Sequence, residues 1–444
     1  MNEKEFLDRL FDELFPIMRS ITGPGLEQSI DVFSRHMPLQ ITKIPTGTQV
    51  FDWIVPQEWH FSEAKLIGPD GEIVCDAKIN NLHIVNYSEP VDKKLSLQEL
   101  NPYLHSIPEL PDAIPYVTSY YKRNWGFCIP HNQRMHLKEG TYHVIIKTKF
   151  VDGGVPFAQC KLEGESKKEI MITSYLCHPS LANNELSGPL ALLGLYNRIS
   201  KWNKRRYTYR FVLNPETIGS LCFLYKHAKE LKENLVSGLI LTCVGGPSKT
   251  MRFKSSRIDD SLINRVIEYD KKNIPLPMEK IPFSALGGSD ERQYCSPGFN
   301  LPVGQISRTT YGTYDGYHNS LDTKEFMGID HLVESIDNIE QILKYVEVCG
   351  NPVNLSPFGE PQLGKRHLYP NMNSNNTRKN STDKYVDGRT QLNRMLLMLN
   401  MADGKNSLID IAREADCSVD EILPTLTKLE EHNLISYNIN IEEL

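Results

Sequence analysis

The stretch from 169 to 200 constrains the fold most. "EIMITSYL" (169–176) is a continuous apolar run, and "LSGPLALLGLYNRIS" (186–200) follows it with helical spacing. A strand that is apolar on both faces must be covered on both, as in a parallel sheet held between helices. The pattern continues with "YTYRFVLN" (207–214) as a strand and "GSLCFLYKHAKEL" (219–231) as a helix. "SGLILTCVG" (237–245) and "LPVGQIS" (301–307) read as further strands, and "DHLVESIDNIEQILKYVEV" (330–348) as a long closing helix. This alternation predicts an α/β three-layer sandwich around a mostly parallel sheet. In such sheets, sites form beyond the carboxyl ends of the strands.

The flanking segments differ. Residues 3–18 and 25–36 have helical periodicity, the second after the turn Gly23-Pro24-Gly25. From 39 to about 145 the chain is β-prone and broken by Pro, Gly and Asn, as an inserted β-rich subdomain would be. Residues 356–384 are rich in Pro, Asn and Ser and read as a linker. Residues 385–444 fit three helices and a terminal strand, "ISYNINI", which suggests a winged helix. The expected division is 1–50 with 136–355 as the α/β domain, 51–135 as the insert, 356–384 as the linker and 385–444 as the terminal module.

Charge and cysteine content narrow the function classes. The 444 residues include 49 Lys and Arg against 55 Asp and Glu. That balance gives no general attraction to nucleic acid or anionic membranes. The terminal module is acidic, with 5 Lys and Arg against 11 Asp and Glu. A DNA reader needs a basic face, so the module reads as a protein-contact or dimerisation unit, with a homo-oligomer as the expected assembly. The nine cysteines are scattered and never in CxxC spacing. This argues against a disulfide framework and a structural zinc finger, and for a reducing compartment. The N-terminus is charged and amphipathic, unlike a secretion signal. No apolar run approaches the ~20 residues that span a bilayer. The expected location is the cytoplasm.

Three polar residues lie just past buried segments or in a loop that could join them. His178 follows the first strand, Glu216 follows the next in "FVLNPETIGS", and His318 sits in "YGTYDGYHNS". Imidazole and carboxylate suit zinc, and a catalytic zinc needs three protein ligands and an open position. Spacing alone leaves a second reading open, in which these are hydrogen-bonded loop histidines and Glu216 charges a helix N-terminus. Cys177 beside His178 is not read as a nucleophile, since adjacent residues in an extended segment point to opposite faces. "GGSDERQYC" (287–295) offers Asp290, Glu291, Arg292 and Tyr294 after a Gly pair, either for substrate recognition or as a salt-bridged loop. Arg292 would grip a carboxylate or other anion. Tyr317, beside His318, joins Asp290, Arg292 and Tyr294 as an expected substrate contact.

"CHPSLANNELSG", "NPETIGS", "CVGG", "GGSDERQYCSPG" and "YHNSLDT" together resemble the bacterial aminopeptidase-like proteins of unknown function. That family carries a β-rich insert and a C-terminal winged helix. It belongs to the clan of dizinc aminopeptidases, glutamate carboxypeptidase and glutaminyl cyclases. The resemblance covers nearly the whole chain, in order. It implies metal ligands at His178, Glu216 and His318. The clan's bridging Asp falls on Asn184, with Glu185 one place later, and another ligand Asp falls on Gly246. The clan's base, a Glu just before the ligand Glu, falls on Pro215. The Asp that orients its first His falls on Ser180.

Two of five expected ligands are therefore absent, and the resemblance implies one tightly held divalent metal, zinc, at most. Glu185 and Glu291 are the remaining candidates for general base. The implied reaction is metal-assisted hydrolysis of an amide bond in a small peptide, an aminoacyl compound or an amide-bearing sugar or metabolite. The competing expectation is a non-catalytic binding or scaffold protein in polysaccharide or secondary-metabolite biosynthesis. Restoring Asp at both 184 and 246 is expected to raise the metal count toward two.

Overall fold

A computed structural model describes residues 2–270, 274–369 and 388–437. At its centre is an eight-stranded sheet. Its strands in chain order are β1 (Gln40–Pro45), β2 (Gly154–Leu162), β3 (Ser166–Tyr175), β4 (Tyr207–Asn214), β5 (Leu235–Leu241), β6 (Met251–Lys254), β7 (Met278–Ile281) and β8 (Val303–Ser307). They lie side by side as β1-β2-β4-β3-β5-β8-β6-β7. The middle four, β4-β3-β5-β8, are parallel. β2 joins β4 and β6 joins β8 antiparallel, so the parallel part is flanked on both sides. The α/β sandwich expected from the alternation is present, with helices covering a mostly parallel centre.

Alternate residues of the central strands feed two separate cores, as the two-residue period of a strand requires. Ile170 and Ile172 of β3 pack on one side with the helices Glu3–Leu14, Ser187–Ile199 and Ile329–Val348. Met171 packs on the other, with the helix Ile218–Asn234 and the insert. β4 is buried along its whole length, which is why "YTYRFVLN" reads as continuous apolar sequence. Gly188 lets the helix after His178 lie directly on the sheet. A Cβ there would meet Ser174 Oγ at 2.2 Å and the Leu241 carbonyl at 2.3 Å.

The insert forms a four-stranded antiparallel sheet in the order Ile73–Asp76, Glu58–Ile67, Thr141–Val151, Val91–Ser96, so its sheet takes in a strand beyond the boundary expected at 135. Its strand Thr141–Val151 leads through Asp152 and Gly153 straight into β2. The two sheets are therefore joined by one continuous chain.

The terminal module has helices Gly388–Met401, Leu408–Glu414 and Val419–Glu431, followed by the short strand Ile435–Ser436. That strand pairs with Val353–Asn354, on the near side of the linker. The module shares the first core of the α/β domain and is fastened to it by polar contacts. Arg265 meets Asp410 at 3.0 Å, Tyr345 donates to Asp420 at 2.8 Å, and the Arg206 guanidinium covers the Tyr437 ring. The linker from 370 to 384, and the end of the expected terminal strand from 438, lie outside the described residues.

Candidate metal centre

The site assembles at the carboxyl edge of the parallel strands. β3 ends at Tyr175, three residues before His178, and β4 ends at Asn214, two before Glu216. His178 Nε2 lies 3.7 Å from Glu216 Oε2. That is too long for a hydrogen bond and close to the ~3.4 Å that separates two ligands in a tetrahedral zinc shell. The His318 ring lies 5.6 Å from the His178 ring, centre to centre. The edge of the sheet thus places His178 and Glu216 at ligand spacing from one another, with the His318 ring next to that of His178.

Each is held from behind. Glu216 Oε1 accepts from Ser289 Oγ at 2.7 Å, and its backbone N–H points at Cys177 Sγ. The next residue, Thr217, has φ +61°, a costly conformation for a β-branched residue. Its N–H donates to Asp290 Oδ1 at 2.7 Å. Asp290 also accepts from Asn214 Nδ2, so it ties the end of β4 to the Glu216 turn. Burial, and then the Glu216 charge, push the Asp290 carboxyl up to about 7. His318 has φ +58°, its carbonyl accepts from Tyr116 N at 2.7 Å, and its ring stacks on Tyr317 at 4.0 Å. Burial and the neighbouring His178 hold His318 down to about 3, so it stays neutral.

The acid next to the altered ligand position has a different role from a base. Glu185 lies in a single π-helical turn, Ala182–Leu186, and is fully buried. Its Oε2 is 2.7 Å from His178 Nδ1, and its Oε1 accepts from Cys177 N at 2.5 Å. Arg19 Nε lies 3.7 Å from the same Oε1. A carboxylate on the inner nitrogen of a ligating histidine fixes its tautomer and orientation. The resemblance assigns that place to position 180, and here the carboxylate comes from 185. Cys177, His178 and Glu185 have donor atoms within 4.8 Å of one another. That group closes on Nδ1, which Glu185 already satisfies, and burial pushes the Cys177 thiol up to about 11. That leaves Nε2 as the His178 nitrogen on the Glu216 side.

Other expectations change. Glu291 is fully buried in the wall, with Oε1 on Lys254 Nζ at 2.7 Å and Oε2 on Ser289 N at 2.9 Å. With no exposed surface and an ion pair to Lys254, it is poorly placed to activate a water. Tyr294 is fully buried in the second core and Asp290 serves the Glu216 turn, which removes both from direct contact with a substrate. Arg292 and Tyr317 remain part-exposed at the cleft. Among the described residues, Arg292 donates from Nε to the Ser289 carbonyl, with no hydrogen bond from its terminal nitrogens. Gly246 is no simple vacancy for a ligand. Its φ is +84°, and a Cβ would meet Thr309 Oγ1 at 2.5 Å. Asn184 donates to Tyr175 OH at 2.9 Å, while its Oδ1 is buried with no hydrogen-bond partner among the described residues.

In residue type, two imidazoles and a carboxylate suit a single zinc ion, and the orphaned Asn184 Oδ1 is a further neutral oxygen, on the side chain that meets Tyr175. Two ions would need the bridging charge that Asn184 lacks. The sequence reading missed Arg19, Ser289 and Tyr116. Ser289 lay within a quoted motif, but no periodicity or spacing marks Arg19 or Tyr116, which reach the site from remote segments.

Residues 8–349 match the model of a domain of unknown function, DUF4910. The chain belongs to that family. Residues 351–437 match a winged helix-turn-helix model. A Clostridium acetobutylicum protein is 41% identical over 91% of this chain and 89% of its own length, and is named for polysaccharide biosynthesis with an aminopeptidase-like domain. A crystal structure from C. acetobutylicum, bearing the name of a peptidase, superposes with a TM-score of 0.86 at 38% identity, covering 98% of this chain and 97% of that one. The zinc aminopeptidase of Bacillus subtilis shares the fold, with a TM-score of 0.56 at 10% identity over 77% of this chain and 93% of its own. A peptidase M28 precursor from Shewanella amazonensis gives a TM-score of 0.52 at 13% identity, over 78% and 92%.

Proposed function

We propose that this DUF4910 protein is a single-metal hydrolase of an amide bond. Its substrate class is a small peptide, an aminoacyl compound or an amide-bearing sugar or metabolite. One observation carries the reading: His178 Nε2 and Glu216 Oε2 face each other across the cleft at 3.7 Å, with the far nitrogen of the imidazole committed to Glu185. His178, Glu216 and His318 would hold the zinc, with Asn184 Oδ1 as a neutral neighbour. Bound zinc polarises a carbonyl and lowers the pKa of its water to roughly 7. Ser289 keeps one oxygen of Glu216 engaged, and Arg292 has terminal guanidinium nitrogens available for an anionic group on the substrate.

A cavity of about 350 Å³, lined by Ser248, Met251, Arg252, Thr309 and Thr310 among others, adjoins the Gly246 loop. Tyr311 links that wall to Tyr317. Hydroxyl-rich walls suit a sugar, in keeping with the name of the clostridial relative. All nine cysteines are free thiols and, among the described residues, no helix is long and apolar enough to cross a membrane. On this reading the protein works in the cytoplasm, without nucleic acid, as a homo-oligomer through its acidic terminal module.

A second reading, a binding or scaffold protein that keeps the cleft, has one observation in its favour. Both acids expected to serve as base, Glu185 and Glu291, are tied in buried contacts. The deciding experiment measures metal per chain and turnover on aminoacyl anilides and on hexosamine and uronic-acid amides. One zinc with slow turnover on one of these classes is the expected result. Two metals and brisk aminopeptidase activity would overturn the single-metal reading. One zinc with no turnover on any class would favour the binding protein.

A further inference from the structure

Arg19 belongs to none of the motifs, yet it lies on the buried side of the site. It comes from the turn between the helices Glu3–Leu14 and Pro24–Ser34, and it is 0% exposed. Its Nε donates to the His178 carbonyl at 3.0 Å and sits 3.7 Å from Glu185 Oε1. Its Nη1 donates to the Leu14 carbonyl at 2.6 Å. Its own carbonyl accepts from Asn86 Nδ2 at 2.8 Å, and Asn86 Oδ1 accepts from Ser20 Oγ. The turn is thus anchored to both the insert and the His178 loop.

We infer, on the metal-centre reading above, that Arg19 is a positioning residue for His178. It grips the His178 backbone with one hydrogen bond and holds the Glu185 carboxylate by charge. The carboxylate in turn commits Nδ1–H, so that Nε2 is the nitrogen presented to Glu216 and the cleft.

An imidazole has two nitrogens, and the partner of one decides what the other does. Here that partner is fully buried, where an isolated carboxylate is costly. Arg19 supplies its countercharge. The guanidinium is itself expensive to bury, and its Nη2 has no hydrogen-bond partner among the described residues. A methionine of similar length would fill the space without that cost. What the arginine adds is direction: a planar group that aims its single Nε–H at the His178 carbonyl while its charge lies 3.7 Å from the Glu185 carboxylate. A lysine, with a single mobile ammonium, reproduces the charge but not the planar geometry.

The test compares full-length wild type, Arg19→Met and Arg19→Lys in three measurements. These are zinc affinity by competition with a chelator, the downfield Nδ1–H resonance of His178, and the melting temperature. The resonance is assigned by its loss in His178→Asn. In Arg19→Met the Nδ1–H signal should disappear or move upfield, and zinc affinity should fall tenfold to a hundredfold. Arg19→Lys should lie between. A folded Arg19→Met with unchanged signal and zinc affinity, whatever its melting temperature, would reduce Arg19 to a structural residue. If Arg19→Met does not fold, wild-type behaviour of Arg19→Lys in both readouts has the same consequence. If wild type binds no zinc, the metal-centre reading fails, and the Nδ1–H comparison still decides the role of Arg19.

Discussion

His178 Nδ1 and Glu185 Oε2 lie 2.7 Å apart in the interior, seven positions apart in the chain. This contact turns the acid of "NNELSG" away from the cleft and makes it the orienting partner of the histidine. Glu185→Gln should therefore weaken zinc binding by tenfold or more, since loss of such a partner typically costs that much. It should also destabilise the protein by about 3 kcal/mol, because it strips a buried guanidinium of its counterion. Calorimetric zinc titration and denaturant unfolding check the two effects; a stable variant with wild-type affinity would refute both.

The two altered ligand positions should respond differently. Asn184→Asp places a carboxylate oxygen where Oδ1 now has no partner, and should tighten the single metal. Gly246→Asp must adopt φ near +84° and push against Thr309, so it should lower the melting temperature without adding a metal. With Gly246 so confined, the double substitution is expected to hold one ion, where the sequence alone led to an expectation of two. Elemental analysis should give about one metal per chain in wild type and in both variants, and a second metal in Gly246→Asp would refute this account.

Arg292→Ala should leave metal content unchanged while weakening ligands that carry a carboxylate. A loss of roughly 1.5–3 kcal/mol is expected for one charge-assisted hydrogen bond. Neutral amides of the same shape should bind alike to both proteins. Competition binding with matched acid and amide pairs measures this, and equal losses for both members would exclude an anion grip.

Glu230 gives a pH-dependent contribution to stability. Burial alone would raise its pKa, but Lys161 and Arg210 pull it down to about 2. Its unfolded value is higher, so the contribution is complete above about 4.5 and is lost as pH falls through about 2. The melting temperatures of wild type and Glu230→Gln should differ at pH 7 and converge on acidification. A gap that stays constant from pH 7 to 2.5 would show that the ion pairs contribute nothing.

The winged helix should not bind DNA. Its third helix, Val419–Glu431, exposes Asp420, Glu421 and Glu431, and Asp420 is already bonded to Tyr345. Phosphates would meet like charge. Fluorescence titration of the full chain with random duplex at low salt should show no binding below the micromolar range. A salt-sensitive submicromolar complex would reverse the conclusion.

Local sequence determined the strands, helices and strand-end placement of His178 and Glu216. Burial on both faces demands continuous apolar runs such as 169–176 and 207–214, and the carboxyl edge follows from the chain direction. It also determined that Asn184 brings no bridging charge, since residue type alone settles that. The directions of the side chains were decided by tertiary packing. Whether Glu185 faces the cleft or the interior depends on a π-helical turn and on Arg19, which comes from 166 positions earlier. Whether Glu291 is free depends on Lys254, and whether Asp290 touches a substrate depends on the Thr217 turn. No periodicity records such long-range pairings. They arise when a buried charge must find its counterion among whatever groups the fold has brought within about 4 Å.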